Sequence, residues 1–506
     1  MSRAQRLTLV ATILGSTVVF LDSTVVNVAL PAIADGLDAG LAGQQWVVEA
    51  YMLTLVALLL VGGSLGDQFG RRRVFIIGLI AFGACSVLCA VAPNVQLLVA
   101  ARALQGIAGA LLVPGSLAIV AATFEGPARG QAVGTWTAWT GIATVLGPAG
   151  GGFLVEALSW RAIFWVNIPL IAATVALTLH SVKETRDMEA FRGVDWLGIA
   201  LSAAGLGGPV FALIEQPNYG WGSPVVWAPM IAGVACFALF VVHEARARHP
   251  MLELSLFRIR NFRVANLTTL AAYAGLIGGL FFVGLFLQQV AGYTPIEAGL
   301  ATTPVSLILF FLSPRWGRLA SGTGPRLPMS AGPIVGGIGL LLLMRVGPDA
   351  NYLADVLPAV IVFGLGLSAT VAPLTATVLD SVEERHVGIA SGVSNGVSRV
   401  AGLLSVAVLG AVIAAKFDAS VGREVANGPL TAGAPDASAA AFHLGMLIAG
   451  LLMIAGGIFA GFGIENPPRE IEAIPTRGAA PAGECGHSPD CDASQLDSPP
   501  VAAEPA

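Results

Sequence analysis

The sequence predicts an all-α integral membrane protein, and its composition, its long apolar stretches and the placement of its basic residues all indicate this. Of its 506 residues, 55% are hydrophobic and 11% are charged, whereas soluble domains carry about 25% charged residues. The mean hydropathy is +0.79. One or two soluble cores do not bury this much apolar surface, so we expect lipid to be the solvent. The composition excludes a cytosolic enzyme, a disulfide-linked secreted scaffold and a disordered protein, and the net charge of −5 does not indicate a nucleic-acid partner.

A helix needs about 20 apolar residues to cross the hydrocarbon layer. The chain contains about 14 such stretches, so we expect about 14 transmembrane helices. Their approximate bounds are 7–31, 45–65, 74–92, 95–120, 131–156, 162–180, 194–215, 224–243, 263–291, 297–320, 327–345, 354–379, 386–415 and 440–464.

The basic residues predict the orientation. With the N-terminus placed inside, most of the 26 Lys and Arg residues fall in the inner connecting segments, as the positive-inside rule requires. An even number of spans then puts both termini in the cytoplasm. Residues 466–506, rich in Ala, Pro, Ser and acids, are predicted to form a disordered cytoplasmic tail.

Similar motifs occur eight spans apart. Segment 128–134 is similar to segment 384–392, and each follows a Gly-rich span with an internal proline, Pro114 or Pro373. Such internal repeats are typical of transporters. They predict two six-helix bundles with two extra spans between them. The predicted divisions are 1–185, 186–250 and 251–465, followed by the tail.

The segment GSLGDQFGRRR, residues 63–73, predicts a gating loop. Its glycines permit a tight turn, and Asp67 can pair with an arginine or face the positive end of a helix. A simple positive-inside anchor is the alternative, but an anchor requires neither the acid nor the glycines. The predicted gating residues are Gly63, Gly66, Asp67, Gly70, Arg71 and, in the segment after span 4, Arg129.

Charged side chains inside three spans predict a proton-coupling cluster. Asp22, Glu49 and Arg102 lie in spans 1, 2 and 4, within about 8 Å of the same depth at 1.5 Å per residue. A carboxyl group in a low-dielectric setting can exchange its proton near neutral pH, and Arg102 would adjust the proton affinity of both acids. The alternatives are a structural hydrogen-bonding role for Asp22, a structural arginine bonded to carbonyl groups, and an interfacial position for Glu49.

Small residues form a stripe along span 5 at Gly141, Val145, Pro148 and Gly152. Pro148 frees a backbone carbonyl and permits a kink. The stripe predicts either a bending interface helix or ordinary close helix packing.

Four further residues, Asn27, Trp136, Asn395 and Arg399, are predicted to face a central substrate cavity, with ordinary packing as an equal alternative for Trp136. The chain has no GxxxxGK[ST] loop, since neither Lys183 nor Lys416 has the required glycine. We therefore expect no cofactor, no metal, and energy from an ion gradient or the substrate's own gradient. No nucleophile or metal constellation indicates a membrane-embedded enzyme or sensor.

Together these motifs resemble the major facilitator superfamily and, within it, the 14-spanner drug:H+ antiporter family. The matching segments cover about 7–465. They are the loop 63–73, RALQGIAGA in span 4, GPAGGG in span 5, LDSTVVNVALP in span 1, and the segments 159–169, 194–198, 249–262 and 288–300.

The resemblance implies rocker-switch alternating access and proton-driven export of lipophilic or amphipathic compounds across the cytoplasmic membrane, by a protein that works as a monomer. It implies that Asp22 is the span-1 acid, that Arg102 is a proton-relay arginine, and that Asp67 and Arg71 form a cytoplasmic latch. The antiporter motif would comprise Gly141, Gly147, Pro148, Gly151 and Gly152.

The chain departs from the family in one respect: spans 9–14 have no mid-membrane acid. Family members that export dications often have more acids, so the resemblance does not imply export of dications. An uptake symporter of the same fold and an exporter of a single endogenous metabolite are the alternative functions.

Overall fold

The computed structural model describes residues 1–124, 126–186, 195–247, 253–383, 387–421 and 429–466. These ranges are helical and contain no strand, so the all-α prediction is confirmed. Residues 1–466 form one compact unit. The predicted tail, apart from residue 466, lies outside the described residues.

The helices follow the order of the predicted spans. They are α1 (Arg3–Leu37), α2 (Leu41–Phe69), α3 (Arg71–Ala90), α4 (Val95–Thr123), α5 (Gly126–Ala157), α6 (Ala162–Trp165), α7 (Asn167–Ser181), α8 (Trp196–Tyr219), α9 (Pro224–Arg246), α10 (Arg260–Gln289), α11 (Pro295–Thr323), α12 (Arg326–Leu342), α13 (Leu357–Asp380), α14 (Val387–Val421) and α15 (Pro435–Gly463). Helical turns at Leu254–Arg258, Leu343–Arg345 and Tyr352–Val356 precede α10, follow α12 and precede α13.

The helix starts are fixed by local capping. The Ser2 hydroxyl accepts a hydrogen bond from the Gln5 backbone N–H at 3.2 Å, and the Gln5 amide oxygen accepts one from the Ser2 N–H at 2.9 Å. Thr294 and Glu297 form the same reciprocal box before α11. The Asn94 side chain accepts a backbone N–H in the first turn of α4 at 2.9 Å. Each cap satisfies donors that the first helical turn leaves free.

The number of spans differs from the prediction. Within the described ranges, twelve helical segments are long and apolar enough to cross a membrane, or thirteen if the two bent halves of α2 form one span. In that count α6 and α7 together make one span, Ala162–Ser181. Predicted span 131–156 lies in α5, which is 32 residues long but is not among these segments. Fourteen spans are therefore not confirmed.

The distribution of side chains is that of a protein dissolved in lipid. Large apolar groups cover the outside: Phe462 is 79% exposed and Leu158 is 72% exposed. Charged groups lie within, where Asp22 and Arg102 are only 2% and 1% exposed. Water would disfavour the first arrangement, and a hydrocarbon exterior explains both.

Helix neighbours fall into sets. In the first set α2 and α3 pack on α4, while α1 packs on α5 and α7. In the second set α12 packs on α13 and α15, α11 on α13, and α10 on α14 and α15. Helices α8 and α9 pack on each other, and α8 also contacts α2 and α14. Helices α5 and α11 make the most extensive contact between the first and second sets.

Candidate functional site

A buried ion pair lies between α1 and α4. Nη1 of Arg102 donates to Oδ2 of Asp22, and both side chains are about 1% exposed. The Arg102 Nε–H donates to the Val47 carbonyl of α2 at 3.0 Å. The structure thus brings together the span-1 acid and the span-4 arginine that the sequence placed at similar depth.

Amide groups from α4 and from one further helix, α7, complete the surroundings of Asp22. Gln105 Nε2 donates to Asp22 Oδ1 at 3.0 Å, and Asn167 Nδ2 donates to the same oxygen at 3.1 Å. Both amides also donate to the Ser86 hydroxyl of α3, at 3.1 and 2.9 Å. The Asp22 carboxyl group therefore accepts hydrogen bonds from three side chains on two helices, α4 and α7.

An aromatic ring covers the guanidinium. The Arg102 Cζ atom lies 4.3 Å from the ring centroid of Tyr51, a distance typical of a cation–π contact. The Tyr51 hydroxyl donates to the Val19 carbonyl at 3.4 Å. We call Asp22, Arg102, Gln105, Asn167, Ser86 and Tyr51 the Asp22 network.

Sequence analysis missed four members of this network as site residues: Gln105, Asn167, Ser86 and Tyr51. A polar residue in a long apolar run was the available signal, and Asn167 stands in one of the segments that carry the family resemblance. Nothing in the sequence indicates that α3 and α7 both face Asp22, because that depends on the arrangement of helices.

One face of α2 contacts α14. Gln45 Nε2 donates to the Val406 carbonyl at 2.7 Å. About two turns further on, the Met52 sulfur lies 3.9 Å from Nη1 of Arg399. This face of α2 therefore meets the second helix set.

A neighbouring face of α2 contacts α8. The Trp46 indole N–H donates to Glu215 Oε1 at 2.8 Å. A Cβ placed at Gly207 would lie 3.2 Å from the Leu53 side chain, so α8 approaches α2 closely there.

Glu49 lies between these two faces. It is four residues from Gln45 and Leu53 and three from Trp46 and Met52, so it points toward the junction of α2, α8 and α14. Its side chain is 1% exposed, and its Oε2 atom has no hydrogen-bond partner among the described residues. No bond recorded in those residues joins Glu49 to Asp22 or Arg102. Of the three predicted proton-coupling residues, the structure therefore brings Asp22 and Arg102 into contact. Glu49 lies apart from them, at the junction of α2, α8 and α14.

The predicted gating loop, residues 63–73, is helical apart from Gly70: it forms the end of α2 and the start of α3, and it packs against the end of α7. Asp67 Oδ1 accepts from Arg71 at 2.8 Å across one helical turn. The Glu184 carboxylate accepts the backbone N–H groups of Arg72 and Arg73 at 3.1 and 3.2 Å, and so caps α3. Sequence analysis did not identify Glu184, which is distant in the chain.

Gly70 is required by this arrangement. Its φ is +108°, a region that L-residues rarely adopt. A Cβ there would also lie 2.6 Å from the Glu184 carboxylate. At Gly63 a Cβ would lie 3.5 Å from Pro114, and at Gly66 nothing lies within 4 Å, so neither position is crowded.

Arg129 contacts the end of α4 rather than the loop acid. Its Nε and Nη2 donate to the Phe124 and Ala121 carbonyls at 3.1 and 2.8 Å. These carbonyls belong to the last turn of α4, where a cation is favoured by the helix dipole.

The glycines of α5 pack against two neighbouring helices, α1 and α11. Gly147 and Gly151 face α1, and a Cβ at Gly151 would lie 2.8 Å from a Val25 methyl group. A Cβ at Gly147 would overlap the Thr24 hydroxyl. Gly141 belongs to a stretch of α5 whose side chains lie outside the described residues.

The other side of α5 faces α11. A Cβ at Gly152 would lie 2.5 Å from the Pro295 carbonyl oxygen, and Gly299 packs directly on the Pro148 carbonyl. Helix α5 thus touches α1 on one side and the second helix set on the other, which is the geometry of an interface helix.

The close approaches between the two helix sets lie at one end of the molecule. They involve the last turns of α5 and the first turns of α11, and the start of α2 with the second half of α14. Gln289 at the end of α10 also donates to Gln44 at the start of α2, at 3.2 Å. The molecule is therefore closed at the end opposite the loop 63–73.

The four predicted cavity residues occupy different settings. Asn27 is half-buried, and its Oδ1 is unpartnered within the described ranges. Asn395 lines a small polar pocket of about 60 Å³ between α10, α13 and α14. Arg399 is half-buried beside Met52. Trp136 is only 7% exposed and donates to the Ser16 hydroxyl at 3.2 Å, so it packs within the first helix set.

Within the described residues no cluster of His, Cys, Asp or Glu could hold a metal ion.

Comparison with known proteins identifies relatives over most of the chain. Residues 12–406 match the family model of the Major Facilitator Superfamily. Multidrug resistance protein Stp of Mycobacterium tuberculosis (strain CDC 1551 / Oshkosh) is 37% identical over 426 residues, which are 83% of this chain and 78% of that protein. The tetracenomycin C resistance and export protein of Streptomyces glaucescens is 32% identical over 81% of this chain and 76% of its own length. The methylenomycin A resistance protein of Bacillus subtilis (strain 168) is 34% identical over 80% and 87%.

Solved structures share the fold. A bacterial homolog of the human lysosomal transporter Spinster, in an inward-facing and unoccupied conformation, aligns with a TM-score of 0.64 at 16% identity, over 92% of this chain and 97% of that one. The peptide transporter POT in complex with sulfate aligns with a TM-score of 0.64 at 13% identity, over 91% and 95%.

Proposed function

The chain belongs to the Major Facilitator Superfamily, and we propose that it exports lipophilic or amphipathic compounds, including drugs or antibiotics, in exchange for protons. It is a multi-pass membrane transporter and not an enzyme. Relatives named for drug and antibiotic resistance support export, since the three described above all carry resistance in their names.

The Asp22 network carries the proposal for proton coupling. A carboxylate that is buried, paired with Arg102 and hydrogen-bonded by Gln105 and Asn167 is stable only while it is ionised. Protonation removes the charge that these groups were arranged to bind. It therefore loosens the attachment of α1 to α4 and α7.

A path of contacts connects the protonation of Asp22 to the closed end of the molecule. Helix α1, which carries Asp22, packs on Gly147 and Gly151 of α5, and the opposite side of α5 packs on α11 through Gly152. A small displacement of α1 would move α5 against the second helix set. We assign Pro148 and these glycines to that relay, and Glu49 to a second titratable position outside the network.

The orientation belongs to the same proposal. With both termini in the cytoplasm, the closed end is the outer one, and we assign the structure to an inward-facing conformation. The Asp67–Arg71 pair and the glycines of the loop would then act as a latch on the cytoplasmic side. Arg129 at the end of α4 would join that latch in the other conformation.

The test is transport by Asp22→Asn in everted vesicles from a pump-deficient bacterium, with ethidium as the probe and an imposed pH gradient. We expect pH-driven ethidium accumulation to be lost, while gradient-independent exchange of ethidium persists. Asp22→Glu is the control, because it retains a carboxyl group and should keep part of the coupling.

Loss of folding is separated from loss of coupling by a second variant. Asp22→Asn/Arg102→Met removes both charges and so leaves no unpaired guanidinium in the core. This variant should insert at normal levels and still fail to couple ethidium movement to the gradient. Undiminished pH-driven transport in either variant would refute the role of Asp22.

The direction of transport distinguishes export from uptake. Expression in intact cells should lower ethidium accumulation, and higher accumulation would indicate an uptake symporter. A drug-susceptibility panel in the same host, with and without the chain, tests how wide a range of compounds is exported. Resistance to several unrelated amphipathic drugs is expected, and resistance to none would favour a single endogenous metabolite.

A further inference from the structure

An open apolar groove runs between α3 and α7 on the outside of the first helix set. One segment of it, about 620 Å³, is lined by residues such as Ile80, Ala84, Val87 and Val175. A second segment, about 460 Å³, continues from Leu179 to the start of α3. Leu179 lines both segments, so they form one channel along the two helices.

The groove ends at a pair of arginines. Arg72 and Arg73 line its second segment together with Ile76 and Ile77. Arg72 lies across the mouth of the groove, since its Nη2 donates to the Leu179 carbonyl on α7 at 2.9 Å. A guanidinium carries five N–H donors, and this is the one hydrogen bond of the Arg72 guanidinium within the described residues. Arg73 is exposed.

The acids beside these arginines are already engaged. The Glu184 carboxylate accepts the backbone N–H groups of Arg72 and Arg73, and Asp67 pairs with Arg71. Lys183 and Arg186 flank Glu184 in the chain, and the Arg71 N–H donates to the Thr185 carbonyl at 3.0 Å, which brings that segment to the start of α3. The mouth of the groove is therefore basic.

The groove is longer than one leaflet is deep. Fourteen residues separate Arg73 from Val87, which lines the far end of the groove on α3, and this is about 21 Å along a helix. Half of the hydrocarbon layer is about 15 Å thick. The groove therefore has room for an acyl chain that starts at the arginines and ends near the middle of the membrane.

We propose that this groove binds one anionic phospholipid, with its phosphate on Arg72 and Arg73 and an acyl chain between α3 and α7. The basic mouth selects a negatively charged headgroup, and the apolar walls accept a chain and not a free anion. The site is distinct from the Asp22 network and does not depend on the direction or coupling of transport. Arg72 and Arg73 belong to the segment 63–73, so an occupied site would hold the start of α3 against the end of α7.

The experiment measures lipid binding to the full chain in detergent by native mass spectrometry. Phosphatidylglycerol is compared with phosphatidylcholine of the same acyl chains, and glycerol 3-phosphate is added as a free headgroup. We expect phosphatidylglycerol to bind more tightly than phosphatidylcholine, and glycerol 3-phosphate not to displace it. Equal binding of the two lipids, or full displacement by glycerol 3-phosphate, would overturn the proposal.

Variants locate the site. Arg72→Gln/Arg73→Gln should weaken phosphatidylglycerol binding by about 30-fold and Arg73→Gln alone by about fivefold, at about 1 kcal/mol for each basic residue near a lipid surface. Arg258→Gln/Arg263→Gln removes two exposed arginines next to the start of α10 and is the matched control. It should keep the preference for phosphatidylglycerol, and an equal loss there would show bulk charge attraction rather than a site.

The apolar part has its own variant. Ala84 is exposed in the groove, so Ala84→Trp fills the groove without crowding the core. Ala84→Trp should weaken the binding of both lipids to a similar extent, whereas the arginine variants should weaken mainly the binding of phosphatidylglycerol. Unchanged binding of both lipids to Ala84→Trp would place the acyl chain elsewhere and contradict the proposal.

Discussion

Asp22 and Glu49 are both buried carboxyl groups in membrane helices, but their surroundings differ. Asp22 pairs with Arg102 and accepts hydrogen bonds from Gln105 and Asn167. Glu49 lies at the junction of α2, α8 and α14, and its Oε2 atom has no partner within the described residues. Two equally buried carboxyl groups therefore do not tolerate a negative charge equally. The surroundings of Asp22 stabilise the charge, whereas those of Glu49 oppose it.

The comparison also applies to the two membrane arginines. Arg102 is bonded to a carboxylate, a carbonyl and an amide and is covered by the Tyr51 ring. Arg399 is half-buried beside the Met52 sulfur, and no carboxylate in the described ranges lies within ion-pair distance of it. In the first helix set the charge of Arg102 is paired with that of Asp22. At the contact between α2 and α14, the charge of Arg399 has no such partner in the described ranges.

The largest expected effect follows from breaking the Asp22 pair. Asp22→Asn leaves the Arg102 charge buried without a counter-ion, which should lower the free energy of unfolding by about 3–5 kcal/mol. Asp22→Asn/Arg102→Met should recover most of that loss. Unfolding of both variants in detergent measures the difference, and a double variant no more stable than the single one would contradict the ion-pair explanation.

Asn167→Ala should have a smaller effect. It removes a hydrogen bond to an ionised carboxylate, which is worth about 1.5–3 kcal/mol. The same unfolding measurement applies, with Asn395→Ala as the control, because Asn395 is exposed and donates only to the Ser391 carbonyl of its own helix. Equal losses for the two variants would show that Asn167 has no special part in the network.

Glu49→Met should act in the opposite direction. Replacing a buried polar group that lacks a partner by an apolar group of similar size should raise the free energy of unfolding by about 1 kcal/mol. A loss of several kcal/mol instead would show that Glu49 has a strong partner, and the contrast with Asp22 would fail.

Arg399→Met should change stability least. The side chain is half-buried and its recorded neighbour is a sulfur atom, so we expect a change in unfolding free energy of about 0.5 kcal/mol or less. A change as large as that for Arg102→Met would reveal a carboxylate partner for Arg399 and make the two arginines equivalent.

Much of the fold follows from the sequence because its signals are local. The length of apolar stretches and the caps at Ser2, Asn94 and Thr294 set where helices begin and how far they extend. The residue count along each span also predicted that Asp22 and Arg102 lie at similar depth, and the two side chains form an ion pair. Depth needs only the rise per residue of a helix.

Only the tertiary structure decided which faces meet. The predicted depths of Glu49 and Asp22 agree to within about 8 Å, but Glu49 faces α8 and α14, and no depth argument reveals that direction. Asn167 and Glu184 became site residues because α7 packs beside α1 and α3, far from them in sequence. Helical periodicity is a property of one segment, whereas the partner of each face depends on the arrangement of all the helices, and that arrangement fixes which buried charge finds a counter-ion.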